Sequence, residues 1–125
     1  MNKRKLIIFD FDGVLINSEK NMQLTWNKTI KSLEGYNIHF NEYKKNIGLP
    51  FNKILEKLNI KKKDFKKITY NYKKNSIHYQ NKIKLFKGIK LLIRKLKKKY
   101  KIALFTSKDK FRTNFLLKKF NLKFD

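Results

Sequence analysis

IIFDFDGVLINSE, residues 7–19, is the stretch on which the fold turns. Its lead-in, KLIIF at 5–9, is a short apolar run that stops at Asp10. A parallel strand buried on both faces reads this way. Asp10 and Asp12 are two of only nine acidic residues in the chain, and Gly13 follows them as a turn former. Carboxylates at a strand end lose hydration unless a metal or hydrogen bonds compensate. The pair is therefore either a turn with helix-capping duties or a functional site. The spacing D-x-D-G also opens calcium loops, but the rest of that pattern and its closing glutamate are absent.

Working outward, Asn17 or Ser18 suits the N-cap of a helix running to about Leu33. Met22, Trp26, Thr29, Ile30 and Leu33 recur near helical spacing. Gly35 ends it. Residues 36–47 are expected to hold a short second helix, broken by Gly48-Leu49-Pro50. Phe51, Ile54, Leu55 and Leu58 give an apolar stripe at i, i+3, i+4, i+7. A further helix is expected from Asp64 to about Gln80, with Phe65, Ile68, Tyr72 and Ile77 on or near its inner side, and 81–84 as a linker. After Gly88, Ile89, Leu92, Ile93 and Leu96 mark a helix whose lysines face out. KIALFT, 101–106, is a second strand, and Phe111, Phe115, Leu116 and Phe120 a last helix. Two apolar strands joined through a helix imply a parallel pair with a right-handed crossover. The helices between them need not lie on that sheet.

The chain has 125 residues, 41% of them hydrophobic, which suits one modest domain rather than a disordered segment. With no cysteine there is no disulfide and no catalytic thiol. The apolar run after the basic N-terminus is too short for a signal peptide. No run reaches the ~18 residues of a membrane span. A cytoplasmic protein without membrane contact is expected. The formal charge of +24 raises the possibility of a nucleic-acid partner. However, 30 of the 33 basic residues are lysine, the exceptions being Arg4, Arg94 and Arg112. With abundant Asn, Ile, Phe and Tyr, that is the profile of A/T-rich codons. Arginine would be the better phosphate fork. Coding bias with solvated helix faces is preferred, and nucleic acid is not the expected partner.

The segment IIFDFDGVLINSE resembles the first motif of the haloacid dehalogenase superfamily of phosphatases, an apolar strand followed by Asp-x-Asp-Gly-x-Leu. KIALFTSK, 101–108, resembles the second motif, a strand ending in Thr or Ser. IGLPFNKIL resembles the Gly-Leu-Pro loop of the helical cap, and the similarity runs in order through essentially the whole chain. The resemblance implies an α/β fold: a partial Rossmann-like core of parallel strands 5–10 and 101–106 with flanking helices, plus an inserted α-helical cap. The core would comprise 1–15 and 85–125, and the cap 16–84. Function would be Mg²⁺-dependent hydrolysis of a small phosphorylated metabolite, such as phosphoglycolate or a sugar phosphate.

In that scheme Asp10 is the nucleophile that forms an aspartyl-phosphate. Asp12 is the general acid and then base. Mg²⁺ is held by the Asp10 carboxylate and the Asp12 backbone carbonyl. Thr106 would bind a phosphoryl oxygen, with the amides of Phe11 and Ser107 as companions and Lys108 touching substrate phosphate at most. Asp109 is expected to cap the next helix. An acid at position 12 favours phosphate-ester chemistry over dehalogenation. Relatives carry a later lysine and a later acidic pair, which this sequence does not reach. The chain is therefore expected to be C-terminally truncated and inactive alone, needing a partner or a missing C-terminal segment to complete its core. The alternatives are a phosphomutase of the same superfamily, or a non-catalytic basic nucleic-acid-binding protein that reuses the fold.

Overall fold

The computed structural model describes residues 3–125. Its elements, in order, are β1 (Leu6–Phe9), β2 (Ile16–Asn17), α1 (Glu19–Lys31), α2 (Phe40–Lys44), α3 (Phe51–Lys57), α4 (Phe65–His78), β3 (Lys84–Leu85), α5 (Ile89–Lys97), β4 (Lys101–Leu104) and α6 (Lys110–Lys119). Short 3-10 turns at Lys62–Asp64 and Gln80–Lys82 bracket α4. The chain divides into two compact units, Glu19–Ile83 and the segments on either side of it, to Ser18 and from Lys84 to Asp125.

The flanking segments make an α/β unit. β1 and β4 pair in parallel, Leu6 opposite Lys101 through Phe9 opposite Leu104. α5 supplies the crossover and packs beside β4. Phe11, Leu15, Ile16 and Ile102 are fully buried, joined by Ile93, Leu116 and Leu122. Not every residue read as inward is so: β1, read as a strand buried on both faces, leaves Leu6 56% and Ile8 61% exposed. Leu92 is 42% exposed, Phe111 71% and Phe115 40%, while Thr113 is buried on α6 instead. Helical spacing specifies a stripe, but a two-stranded sheet offers too little surface to cover it.

The α/β unit has two further features. β2 and β3 form a two-residue antiparallel ladder, Ile16 opposite Leu85 and Asn17 opposite Lys84. It is extended by the Phe86 amide donating to the Leu15 carbonyl at 3.1 Å. The ladder lies within the α/β unit, whose segments end at Ser18 and resume at Lys84. The outer edge of β4 is also partly satisfied. The Asp125 amide donates to the Ile102 carbonyl at 2.8 Å, and the Ile102 amide donates to Asp125 Oδ2 at 2.7 Å.

The regular elements described in the Glu19–Ile83 unit are helices. Its core gathers Trp26, Ile30, Leu33, Phe40, Tyr43, Ile54, Leu55, Ile60, Ile68 and Tyr72. Trp26 stacks on Tyr43 at 4.5 Å, and the Tyr43 and Tyr72 hydroxyls lie 3.1 Å apart. The α1–α4 contact ends in a polar seam rather than on Ile77, which is 39% exposed. Asn21 Nδ2 donates to the Ser76 carbonyl (3.0 Å), and Asn75 Nδ2 to Thr29 Oγ1 (3.0 Å). Among the described residues, the buried Thr25 hydroxyl of this seam has no hydrogen-bond partner. An unpaired buried hydroxyl costs ~1–3 kcal/mol. Thr25→Val keeps the branched shape and removes it. That variant is expected to raise the urea midpoint, gaining about 1 kcal/mol; a loss of stability would mean that the hydroxyl is solvated.

Candidate active site

The parallel register sets the site. The Phe105 amide donates to the Phe9 carbonyl at 2.8 Å, one step beyond the last paired residues. Residues 10–12 and 106–108 therefore leave their strands at the same end of the sheet. Ligand sites form at the carboxyl ends of strands in open α/β sheets.

Residues 11–16 close into a tight turn. The Phe11 carbonyl accepts from the amides of Val14, Leu15 and Ile16 (3.2, 3.0 and 3.2 Å), and the Gly13 amide donates to the Ile16 carbonyl (2.8 Å). Gly13 has φ +79° with nothing near its missing Cβ, so backbone conformation rather than space demands glycine there. The Phe11 side chain is fully buried and pins the turn. Its neighbours on either side, Asp10 and Asp12, alternate away from it.

Each carboxylate is held differently. Asp10 is exposed, and its Oδ1 accepts from the Phe11 amide at 2.7 Å. Asp12 is one-fifth exposed, and its Oδ1 accepts from the Ser18 hydroxyl at 2.7 Å and lies 3.5 Å from Lys108 Nζ. The Lys108 side chain is only 5% exposed. Burial pushes its ammonium below the ordinary lysine value, while the Asp12 carboxylate pulls the other way. The Lys108 amide donates to Thr106 Oγ1 at 3.1 Å, which leaves the Thr106 hydroxyl proton free to be donated elsewhere. Ser107 is exposed.

Of the residues expected at the site, Asp10, Phe11 and Asp12 stand at one strand end and Thr106, Ser107 and Lys108 at the other. Lys108 joins the two. The Phe11 amide is engaged by Asp10, so a phosphate would have to displace that carboxylate to use it. Asp109 caps α6, its Oδ1 accepting from the Arg112 amide at 2.9 Å and its Oδ2 pairing with the Arg112 guanidinium. In the sequence Ser18 is a helix-cap candidate only. Its contact with Asp12 depends on the turn between them and has no signal in local spacing.

Among the described residues, no three acidic or histidine side chains gather as a metal cage. The fit to Mg²⁺ rests on two hard oxygens, Asp10 Oδ2 and the Asp12 carbonyl, neither of which accepts a hydrogen bond among the described residues. That donor chemistry suits a hard cation that keeps several waters.

Residues 7–125 match the sequence model of the haloacid dehalogenase-like hydrolases. The chain belongs to that family. Haloacid dehalogenase-like folds are also found among solved structures. A family member from Streptococcus pneumoniae superposes with TM-score 0.83 at 20% identity, covering 95% of this chain and 57% of its own. A hydrolase from Pseudomonas syringae gives 0.83 at 22%, covering 98% and 57%. A predicted phosphoglycolate phosphatase from Haemophilus somnus gives 0.73 at 22%, covering 98% and 60%. At these identities the likeness shows the haloacid dehalogenase-like fold. The chain spans less than two thirds of the length of these structures. No curated protein matches it. Among the described residues, no helix is long and apolar enough to cross a membrane.

Proposed function

We propose that this chain carries the nucleophile-bearing part of a Mg²⁺-dependent phosphomonoester hydrolase, with the α/β unit as its core and Glu19–Ile83 as its cap. The observation that carries the reading is Lys108, which links the end of β4 to Asp12 at the end of β1. That contact supports one site built from both motifs. Asp10 attacks phosphorus, forming an Asp–O–P bond as the ester P–O bond breaks, and Asp12 delivers its proton to the leaving alkoxide. Water then attacks the aspartyl-phosphate, Asp12 takes the water's proton, and phosphate leaves. The Thr106 hydroxyl, the Ser107 amide and Lys108 hold the phosphoryl oxygens, since such transfer relies on positioning and electrostatics. Bound Mg²⁺, held by Asp10 and the Asp12 carbonyl, would supply charge neutralisation between carboxylate and phosphate.

The substrate we propose is a small phosphorylated metabolite such as phosphoglycolate or a sugar phosphate, in a cytoplasmic setting. The test takes a polypeptide that contains this chain and has the full length of its structural relatives. Phosphate release from phosphoglycolate should need Mg²⁺, and a quenched reaction should yield a hydroxylamine-sensitive phosphoryl label on Asp10. Metal-independent release, or a label on another residue, would refute the mechanism.

The metal affinity of the 125-residue chain alone follows from its ligand set. One carboxylate and one carbonyl make a weak site, because carboxylate number tunes affinity for hard cations. Calorimetry is expected to give Mg²⁺ dissociation constants of ~1 mM or weaker. A micromolar constant would require a further ligand and would overturn this metal set.

A further inference from the structure

On the α/β unit, a groove of about 300 Å³ runs between α5 and the turn after α6. Lys90, Arg94 and Lys97 line one wall at i, i+4 and i+7, and Lys123 lines the other. Ile93 and Leu122 are lining residues too, and they are 4% and 6% exposed, so the apolar surface sits low and the cations stand above it. No acidic residue lines the groove. None occurs in the sequence between Asp64 and Asp109 either. Among the described residues, none of the four cations has an ion-pair partner, whereas Arg112 on the same unit pairs with Asp109. Like charges crowded in a concavity repel one another and focus a positive potential outward. Such a wall is stabilised by an anion.

We propose that this groove binds the phosphodiester backbone of single-stranded nucleic acid. Lys90 to Lys97 spans ~10 Å along the helix axis, a few nucleotide steps. The groove is too small to seat a duplex and suits a strand laid along it, as single-strand channels track a backbone with cations. No aromatic ring lines it for base stacking, so binding is sequence-tolerant and salt-sensitive. A lipid surface fits less well. Membrane-lying helices direct an apolar face outward between their cations, whereas the apolar residues that line this groove, Ile93 and Leu122, are buried. Leu91 and Leu92 are exposed but lie ~100° and ~200° around α5 from Lys90.

The competing explanation is that any polyanion adheres to a chain of charge +24. A matched pair of variants separates the two. Arg94→Glu with Lys97→Glu alters the groove; Lys66→Glu with Lys67→Glu makes the same charge change at exposed positions on α4. Binding of a fluorescent 12-residue oligouridylate to the full chain is measured by anisotropy from 50 to 200 mM salt. The groove variant is expected to lose at least ~10-fold in affinity and ~1 unit of salt slope, and the α4 variant much less. Circular dichroism checks folding, and Arg94→Gln with Lys97→Gln repeats the test without charge reversal. Equal losses in the groove and α4 variants would overturn the proposal, as would no binding at 50 mM salt. So would tighter, groove-dependent binding to phosphatidylserine vesicles than to the oligonucleotide.

Discussion

Asp10→Asn is expected to leave no measurable turnover of small phosphate esters in a polypeptide carrying this chain at its relatives' full length. Asp12→Asn should cost at least ~10² in kcat, the usual loss when a general acid is removed. The two substitutions act on differently held groups. Among the described residues, Asp10 hydrogen-bonds only with the amide beside it, and so presents a carboxylate oxygen to an incoming phosphorus. Asp12 is gripped at Oδ1 by Ser18 and Lys108, which fixes its carboxylate and leaves Oδ2 to handle the proton. An amide at position 12 keeps the Ser18 hydrogen bond but cannot transfer a proton. Phosphate release followed by a coupled assay, with urea melts to verify folding, distinguishes chemistry from collapse. Wild-type-like turnover in Asp10→Asn would eliminate the nucleophile assignment.

The two units should differ in how tightly they hold their amides. The helical unit closes an apolar cluster around Trp26, Leu55 and Ile68, each fully buried. In the α/β unit Leu6, Ile8, Phe105 and Phe111 are 56–78% exposed. Parallel strands are stable when both faces are covered, and two-stranded units are marginal in water. In the 125-residue chain, amides of α1 and α4 are expected to exchange ~10²-fold more slowly than those of β1 and β4, the spread typical of separate cooperative units. Ile102 should be the slowest of the strand amides because Asp125 holds it. Exposed apolar surface should also bind anilinonaphthalene sulfonate. A single cooperative melt with equal protection in both units would disprove this difference.

β1 and β4 were legible because each is an apolar run cut off by polar residues, a pattern that is local. The helices of the inserted unit were legible from the i, i+3, i+4 recurrence of residues such as Ile54 and Leu55. β2 and β3 were not. Two residues are too few to show a period of two. The failures at Ile77, Leu92 and Phe115 have a different cause. Periodicity says which residues share a face, while the partner surface decides how much of that face is covered. At the site, the acids and Thr106 were readable from motif and strand end. Ser18 and Lys108 were not readable as partners of Asp12, because only the folded turn and the β1–β4 register bring them there.

The β2–β3 ladder also bears on the order in which the chain can fold. β1 and β4 are distant in sequence, and pairing them directly would mean closing a long loop of coil. That entropic cost grows with loop length, and contacts of this kind slow folding. Glu19–Ile83 is a compact unit of its own, and such units can form while the rest of a chain is still being made. Once the ladder joins the two ends of that insert, Ile16 and Leu85 are neighbours and the insert no longer counts as slack. β4 then has only the α5 crossover to complete before meeting β1. Weakening the ladder should therefore slow refolding of the α/β unit more than it lowers its equilibrium stability.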